Sequence, residues 1–112
     1  MSKHSEVTVG SGNVFADLGL PDAEALLVKA QLTYQIAKRI KELKLTQSEA
    51  GVRLAVSQPD VSRLMKGRVT GFSTDRLLAL LNSLDFNVDI VLRRTDQSSH
   101  TTRVRIIEDT PV

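Results

Sequence analysis

Residues 45–67, with the sequence LTQSEAGVRLAVSQPDVSRLMKG, constrain the fold of this 112-residue chain more than any other stretch. They contain two short helical patterns, and a capping signal opens each one. Thr46 and Glu49 have the spacing of a capping box, in which the Thr hydroxyl accepts a hydrogen bond from the third helical amide and the Glu carboxylate reaches back to the cap. Ser57 and Asp60 repeat this spacing in a weaker form, because Asp is shorter than Glu. The stretch therefore predicts two short helices that follow each other closely.

A helix-turn-helix needs two short helices at a steep angle, a tight turn and a small residue where the helices cross. Gly51 is small at the crossing, and LAVS at residues 54–57 supplies the turn. Val61 and Leu64 are three residues apart, so both can face the core, and Gly67 can end the second helix. The second helix would expose side chains that hydrogen-bond to bases or phosphates, namely Gln58, Ser62, Arg63 and Lys66. The pattern meets each demand of a DNA-reading helix-turn-helix.

Pro59 lies inside the second predicted helix, where a proline would ordinarily be disruptive. With Ser57 as the N-cap, Pro59 occupies the second helical position, and amides of the first turn have no helical partner. The proline therefore breaks nothing, although it leaves the Asp60 amide as the group that the Ser57 hydroxyl can cap. We expect Pro59 to form a rigid, apolar tip that could rest against a thymine methyl group.

Helical periodicity also extends from Pro21 to Lys44, with two offset apolar stripes. The first stripe is Leu26, Leu27, Ala30, Tyr34 and Ala37, and the second is Leu32, Ile36, Ile40 and Leu43. Two stripes indicate either one long helix buried on two sides or two helices with a bend near Thr33. In both cases the segment has more apolar surface than one small core needs, so we expect a homodimer.

A fourth helix is predicted to begin at Ser73, after a loop at residues 70–72. Its apolar stripe is Leu77, Leu80, Leu81 and Leu84. The period then changes to two in FNVDIVLRR, which is typical of a strand over residues 88–92. A lone strand is not stable, so this one must pair, and the same strand of a second subunit is our first choice. Helix 22–44 is the other candidate dimer interface.

These elements predict a mainly all-α fold, a bundle of four to five helices with a short C-terminal β-strand. We divide the chain into a flexible N-terminal arm (1–19), a DNA-binding domain that includes the strand (20–94) and a C-terminal tail (95–112). Within the tail, RVRII at residues 103–107 could be a second short strand or a partner-binding segment. The apolar residues between 7 and 18 could dock in the same way.

Charge and composition exclude several classes of function. The net charge is only +2, but residues 29–68 contain nine Lys or Arg against three Asp or Glu, a local basic excess that suits phosphate contacts or, equally, solvated helix faces. Cysteine is absent, so no disulfide or thiolate metal site is possible. His4 and His100 lie in predicted tails, and Glu108 with Asp109 reads as a solvated end. With no phosphate loop, nucleophile–base pair or metal spacing, we predict no enzyme, no cofactor and no metal. No signal peptide or membrane span is apparent, which favours a soluble, cytoplasmic protein.

The central stretch resembles the Xre/Cro (lambda-repressor-like) helix-turn-helix regulators, whose motif runs approximately T-Q-x-E-L-A-x-x-L-G-V-S-Q-x-x-I-S-R-x-x-x-G. The chain matches it at Thr46, Gln47, Glu49, Leu54, Val56, Ser57, Gln58, Ser62, Arg63 and Gly67. It departs at Ala55, where the family prefers Gly; a left-handed backbone there would cost about 1 kcal/mol. It also departs at Ile40 and Met65, where many relatives carry a buried Arg–Glu pair. The apolar pair avoids the cost of desolvating two charges.

The resemblance implies phosphate contacts on both sides of the recognition helix. Gln47, at the start of the first motif helix, would donate to a phosphate, and Ser57 would cap the recognition helix and touch a phosphate. Lys66 and Arg68 would hold the backbone beyond the helix, which adds affinity and salt dependence without sequence information. The alternative for Gln47 and Ser57 is a capping role alone.

The resemblance also implies that Gln58, Ser62 and Arg63 face base edges in the major groove. Gln suits adenine and Arg suits guanine, each with roughly 1–3 kcal/mol of discrimination. The alternative for Arg63 is a surface ion pair with Asp60, one turn before it. We expect base contact, because the motif leaves Arg63 on the reading face.

The wider frame of the chain resembles the HigA-type antitoxins of bacterial type II toxin–antitoxin operons. This resemblance implies a homodimer that binds an inverted-repeat operator on double-stranded DNA, with half-sites about 34 Å apart, and autorepresses its operon. It also implies a protein partner, a RelE/HigB-like toxin held by one of the two tails. The alternative function is a stand-alone, phage-type repressor without a toxin.

Overall fold

The computed structural model describes residues 22–94 and 104–110. The helices of this part are α1 (Asp22–Glu42), α2 (Gln47–Leu54), α3 (Gln58–Met65) and α4 (Thr74–Asn82). The predicted helical bundle is confirmed, with four helices. The predicted arm, residues 1–19, lies outside the described residues.

Helix α1 is a single helix, which decides between the two alternatives for residues 21–44. It continues through Thr33, whose fully buried hydroxyl donates to the carbonyl of Lys29 one turn earlier. This local bond satisfies the hydroxyl without interrupting the helix. One apolar stripe is buried (Val28, Leu32, Ile36 and Ile40), whereas the other stays exposed, with Tyr34 at 61%.

One core joins the four helices. Its buried side chains come from all four helices and from the loop between α3 and α4, where Phe72 is 1% exposed. Ile40 is buried in this core and Met65 packs against it, so the two positions that carry ions in many relatives are apolar and in contact with the same cluster. A core of this kind stabilises the fold through burial of apolar surface alone.

Each helix ends in the same way, with a residue in the left-handed conformation followed by two backbone hydrogen bonds to the last turn. The left-handed residues are Lys44, Ala55, Gly67 and Asp85. In α2 the amide of Val56 donates to Gly51 at 3.0 Å and that of Ala55 to Val52 at 3.2 Å, which is a Schellman motif, and the other three ends repeat it. The residue after the left-handed one is partly buried against the core at three of the four ends (Leu45, Val56 and Phe86).

The predicted strand at residues 88–92 does not form, which corrects that part of the fold class. The segment is irregular and exposed, and Leu92 is 80% exposed. The sequence has the alternation of a strand, but within the described part of the chain no second strand offers its backbone groups for pairing, and an isolated strand has no hydrogen bonds to stabilise it.

Residues 104–110 lie against the helical bundle without forming a strand, so the strand alternative for the segment 103–107 is wrong over its described part, 104–107. Val104 and Ile106 pack against the core, while Arg105 and Ile107 point outward. Lys38 on α1 donates to the Glu108 carboxylate at 2.8 Å, and this hydrogen bond raises the pKa of Lys38 above its ordinary value of 10.5. Glu108 is therefore not simply a solvated end.

Candidate nucleic-acid interface

The two short helices of the motif begin at the predicted caps. The Thr46 hydroxyl accepts from the Glu49 amide at 3.0 Å, and the Thr46 amide donates to the Glu49 carboxylate at 2.8 Å, so the capping box is complete. The Ser57 hydroxyl accepts from the Asp60 amide at 3.2 Å, with Pro59 in the first turn. The caps fix where α2 and α3 start, and with them the register of the side chains that follow.

The crossing of α2 and α3 depends on Gly51 and Ala55. A methyl group on Gly51 would lie 3.0 Å from the carbonyl oxygen of Val56 and 3.7 Å from the side chain of Val61. Ala55 has φ 58° and ψ 44°, so the left-handed turn anticipated at this position is present. The absence of a side chain at residue 51 lets the turn pack onto α2. The left-handed backbone at Ala55 costs about 1 kcal/mol relative to Gly.

Helix α3 has one buried face and one open face. Val61 and Leu64 are completely buried and tie the helix to the core, as predicted. The side chains of Gln58, Pro59, Lys66 and Arg68 are exposed, and that of Ser62 is half-buried on the same part of the surface. We call these five residues the reading surface. Lys66 and Arg68 follow the last turn of α3, so the positive charge lies at the helix end where it also complements the helix dipole.

Gln47 and Ser57 are exposed at the first positions of α2 and α3. Gln47 directly follows the Thr46 cap, and Glu49, not Gln47, completes the capping box. The Gln47 side chain is thus not used by the cap. Ser57 carries the cap of α3 through its hydroxyl.

Arg63 takes the alternative position that the sequence left open. Its guanidinium donates to the Asp60 carboxylate at 2.8 Å and to the carbonyl of Thr70, and it lies 4.8 Å from the centre of the Phe72 ring. The expected free position on the reading face is therefore not what the structure shows. The side chain is folded toward the loop that connects α3 to α4.

Arg76 also lies near this surface, and it was not among the residues predicted from the sequence. It lies in the first turn of α4, 3.4 Å from the second carboxylate oxygen of Asp60 and 5.1 Å from the centre of the Phe72 ring. The Ser73 cap, three residues earlier, was the available signal, since it fixes the first turn of α4 beside the end of α3. We call Asp60, Arg63, Thr70, Phe72 and Arg76 the Asp60 cluster.

Two other features are absent from the described residues. Among them no group of three His, Asp or Glu side chains is placed to hold a metal ion. None of the described helices is long and apolar enough to cross a membrane.

Comparisons with known proteins agree with this geometry. A family model for a helix-turn-helix domain matches residues 14–93, a range that contains all four helices. A solved structure described as a candidate XRE family transcriptional regulator is similar to this chain, with a TM-score of 0.76 and 38% identity over 80% of this chain and 100% of that one. No curated protein matches the chain significantly.

Proposed function

This chain belongs to the helix-turn-helix domain family, and we propose that it is an XRE-type transcriptional regulator that binds double-stranded DNA sequence-specifically. The observation that carries this proposal is the open face of α3. The helix packs on α2 at the crossing formed by Gly51 and Ala55, and its opposite face is buried in the core. The described residues offer hydrogen-bonding and basic side chains on that face, which suit DNA and supply no catalytic group. The proposal places the protein with its DNA in the cytoplasm.

The recognition helix would enter the major groove with its N-terminal end. Gln58 is exposed in the first turn and can form two hydrogen bonds with an adenine edge, while Ser62 follows one turn later on the same side. Pro59 has no amide hydrogen to offer and presents an apolar ring, which suits a thymine methyl group. Gln47, Ser57, Lys66 and Arg68 would contact phosphates, two before and two beyond these base contacts.

Selection from a pool of random DNA duplexes tests the proposal. We expect the protein to enrich one inverted-repeat sequence and to lose affinity for it steeply as salt rises. Lys66→Ala should weaken binding to operator and random DNA by the same factor and reduce the salt slope by about 1. Arg105→Ala, which removes an exposed positive charge outside the helices, is the matched control and should change neither. Enrichment of no sequence by the parent protein would contradict the proposal.

A homodimer would explain the apolar residues at 88–92. This segment has the alternation of a strand, is exposed, and has no strand partner in the described part of the chain, so the same segment of a second copy can supply the missing hydrogen bonds. Ile90→Pro removes an amide donor in the middle of the segment and should give a monomer that binds single half-sites. Ile90→Val keeps the donor and the branched side chain, so it should remain dimeric in a sedimentation experiment. Monomeric parent protein at micromolar concentration would contradict this assembly.

We further propose that the regulator is the antitoxin of a type II toxin–antitoxin pair and neutralises a RelE/HigB-like toxin. Support comes from apolar side chains outside the core: Leu26 and Leu27 on α1 and Ile107 on the C-terminal segment are each more than half exposed. Such surface suits a protein partner. Co-expression with the product of the adjacent gene should yield a stable complex and relieve growth arrest. Absence of any complex with either neighbouring product would favour the alternative, a stand-alone phage-type repressor.

A further inference from the structure

We infer that Asp60 holds the guanidinium of Arg63 against the loop after α3, and that Arg63 is a positioning residue for this loop. The DNA sequence is then read by Gln58 and Ser62 rather than by Arg63. The inference rests on the proposed DNA-binding function and specifies which residues of the same surface determine its specificity. It reverses the role that the motif alone assigns to Arg63.

The hydrogen-bonding capacity of Arg63 is directed away from DNA. One terminal nitrogen donates to Asp60 and the other to the Thr70 carbonyl, and these are the two groups that a guanidinium uses for bidentate contact with a guanine edge. The planar group also lies 4.8 Å from the centre of the Phe72 ring, so it has a cation–π partner. Reading a guanine would require all three interactions to be given up together.

Gly71 shows that the loop is built around this position of Arg63. The residue has φ +88°, and a Cβ atom at Gly71 would collide with a terminal nitrogen of the Arg63 guanidinium. The loop backbone thus lies close to the guanidinium, which would have to move if residue 71 carried a side chain, and the Thr70 carbonyl beside it accepts the hydrogen bond. Arg63 therefore fixes the loop that carries Arg68 and leads into α4.

Asp60 is the group that keeps the arginines in place. Its two carboxylate oxygens face Arg63 at 2.8 Å and Arg76 at 3.4 Å, and it is the more buried member of each pair. Removal of this one negative charge would leave two guanidinium groups beside the recognition helix without a carboxylate partner. Arg63 would keep the Thr70 carbonyl and the Phe72 ring as partners and Arg76 the ring alone, and the positive charge of both would add to the attraction for DNA phosphates.

The experiment compares base preference and salt dependence across a set of full-length variants. Duplex selection is repeated with the parent, Arg63→Ala, Gln58→Ala and Asp60→Asn, and the slope of affinity against salt is measured for each. Asp85→Asn is the matched control, because Asp85 also bridges two arginines and the change in charge is the same. A circular-dichroism melt establishes that each variant is folded, and Arg63→Lys replaces Arg63→Ala if the latter is not.

Arg63→Ala is expected to enrich the parental sequence, with affinity for operator and random DNA lowered by the same factor. Gln58→Ala should lose the preference at one base pair by about tenfold. Asp60→Asn should bind random DNA more tightly and with a salt slope steeper by about 1–2, whereas Asp85→Asn should not. The inference is overturned if folded Arg63→Ala loses a guanine preference of tenfold or more, or if Asp60→Asn and Asp85→Asn have the same slope. If the parent enriches no sequence, the proposed function itself fails.

Discussion

Two aspartates in this molecule each bridge a pair of arginines beside a phenylalanine ring, and the two arrangements lie near opposite ends of α4. In the Asp60 cluster, the carboxylate lies 2.8 Å from Arg63 and 3.4 Å from Arg76. Both guanidinium groups lie about 5 Å from the centre of the Phe72 ring, which is buried. This cluster joins the recognition helix to the N-terminal end of α4.

The second arrangement, the Asp85 cluster, follows the C-terminal end of α4. Asp85 lies 2.9 Å from Arg53 and 3.7 Å from Arg39, and Arg39 lies 5.9 Å from the centre of the Phe86 ring. Here each arginine also donates to a backbone carbonyl, Arg53 to residue 83 and Arg39 to residue 84, at 3.0 Å in both cases. The two clusters contain the same types of side chain but use them differently.

The direction of α4 explains the difference. Carbonyls at the C-terminal end of a helix lack intrahelical partners and carry partial negative charge, so Arg39 and Arg53 are stabilised there even without a carboxylate. The N-terminal end carries partial positive charge, so Arg76 is placed less favourably there and gains more from a carboxylate partner such as Asp60. Exposure points the same way, because the side chain of Asp60 is 21% exposed and that of Asp85 is 63% exposed. We therefore expect Asp60 to contribute more to stability than Asp85.

The largest difference is expected between the two aromatic platforms. Phe72→Ala removes a buried ring from the core and should lower the free energy of unfolding by about 3–5 kcal/mol. Phe86→Ala removes a ring that is only partly buried and should cost about 1–2 kcal/mol. Urea denaturation measures both values. Equal losses in the free energy of unfolding would show that the two rings stabilise their clusters equally, which would contradict the proposed difference between the two ends of α4.

The next prediction concerns the contribution to stability of the contact between the loop and Arg63. Gly71→Ala and Gly67→Ala both place a side chain at positive φ, which costs about 1 kcal/mol each, but only residue 71 would also press on the Arg63 guanidinium. We expect Gly71→Ala to cost about 0.5 kcal/mol more than Gly67→Ala, because the guanidinium would move away and give up its partly exposed contacts. In an Arg63→Ala background that excess should disappear, so a double-mutant cycle measures the contact directly. An excess that persists without the arginine would place its cause elsewhere in the loop.

The two aspartates should also differ in their contribution to stability. Asp60→Asn should lower the free energy of unfolding by about 1 kcal/mol, since it weakens two partly exposed ion pairs and leaves the backbone cap to Ser57 intact. Asp85→Asn should change stability by less than about 0.5 kcal/mol, because Asp85 has φ 71° and Asn tolerates the left-handed region well. The measurement is the denaturant midpoint of the two variants side by side. A greater loss for Asp85→Asn would reverse the proposed order.

The contrast between these clusters also marks what the sequence alone could predict. Helix starts follow from local chemistry, so Thr46, Ser57 and Ser73 were identified as caps, and the left-handed backbone at Ala55 was anticipated from the motif position. The helical periodicity that predicts apolar stripes on α1 is equally local, although it did not show which stripe is buried. Each of these features involves residues a few positions apart, where spacing determines geometry.

Features that join distant parts of the chain were harder to predict. The strand at residues 88–92 has the correct period, but a strand forms only where another backbone is available for pairing, and a period contains no information about that. Arg63 has Asp60 one turn before it and a DNA-facing motif position, so spacing left both roles open. Thr70, Phe72 and Arg76 complete its surroundings, and only the path of the loop brings them there.

The smallest effect concerns an ion pair outside the two clusters, Lys38–Glu108, which lacks both an aromatic platform and a helix end. Because the hydrogen bond to Glu108 raises the pKa of Lys38 above 10.5, the contact is fully present below that pH and is lost as the pH rises through the higher value of the folded protein. We expect Glu108→Gln to leave the urea midpoint unchanged and to loosen only residues 104–110. The NMR signals of the Ile106 methyl groups should therefore shift as the pH rises above 10.5 in the parent, with little shift in the variant. An identical response in both proteins would mean that the apolar contacts of Val104 and Ile106 hold the segment by themselves. In that case the comparison sharpens, because among Asp60, Asp85 and Glu108 only Asp60, which offsets an unfavourable helix end, would hold its partners through its carboxylate.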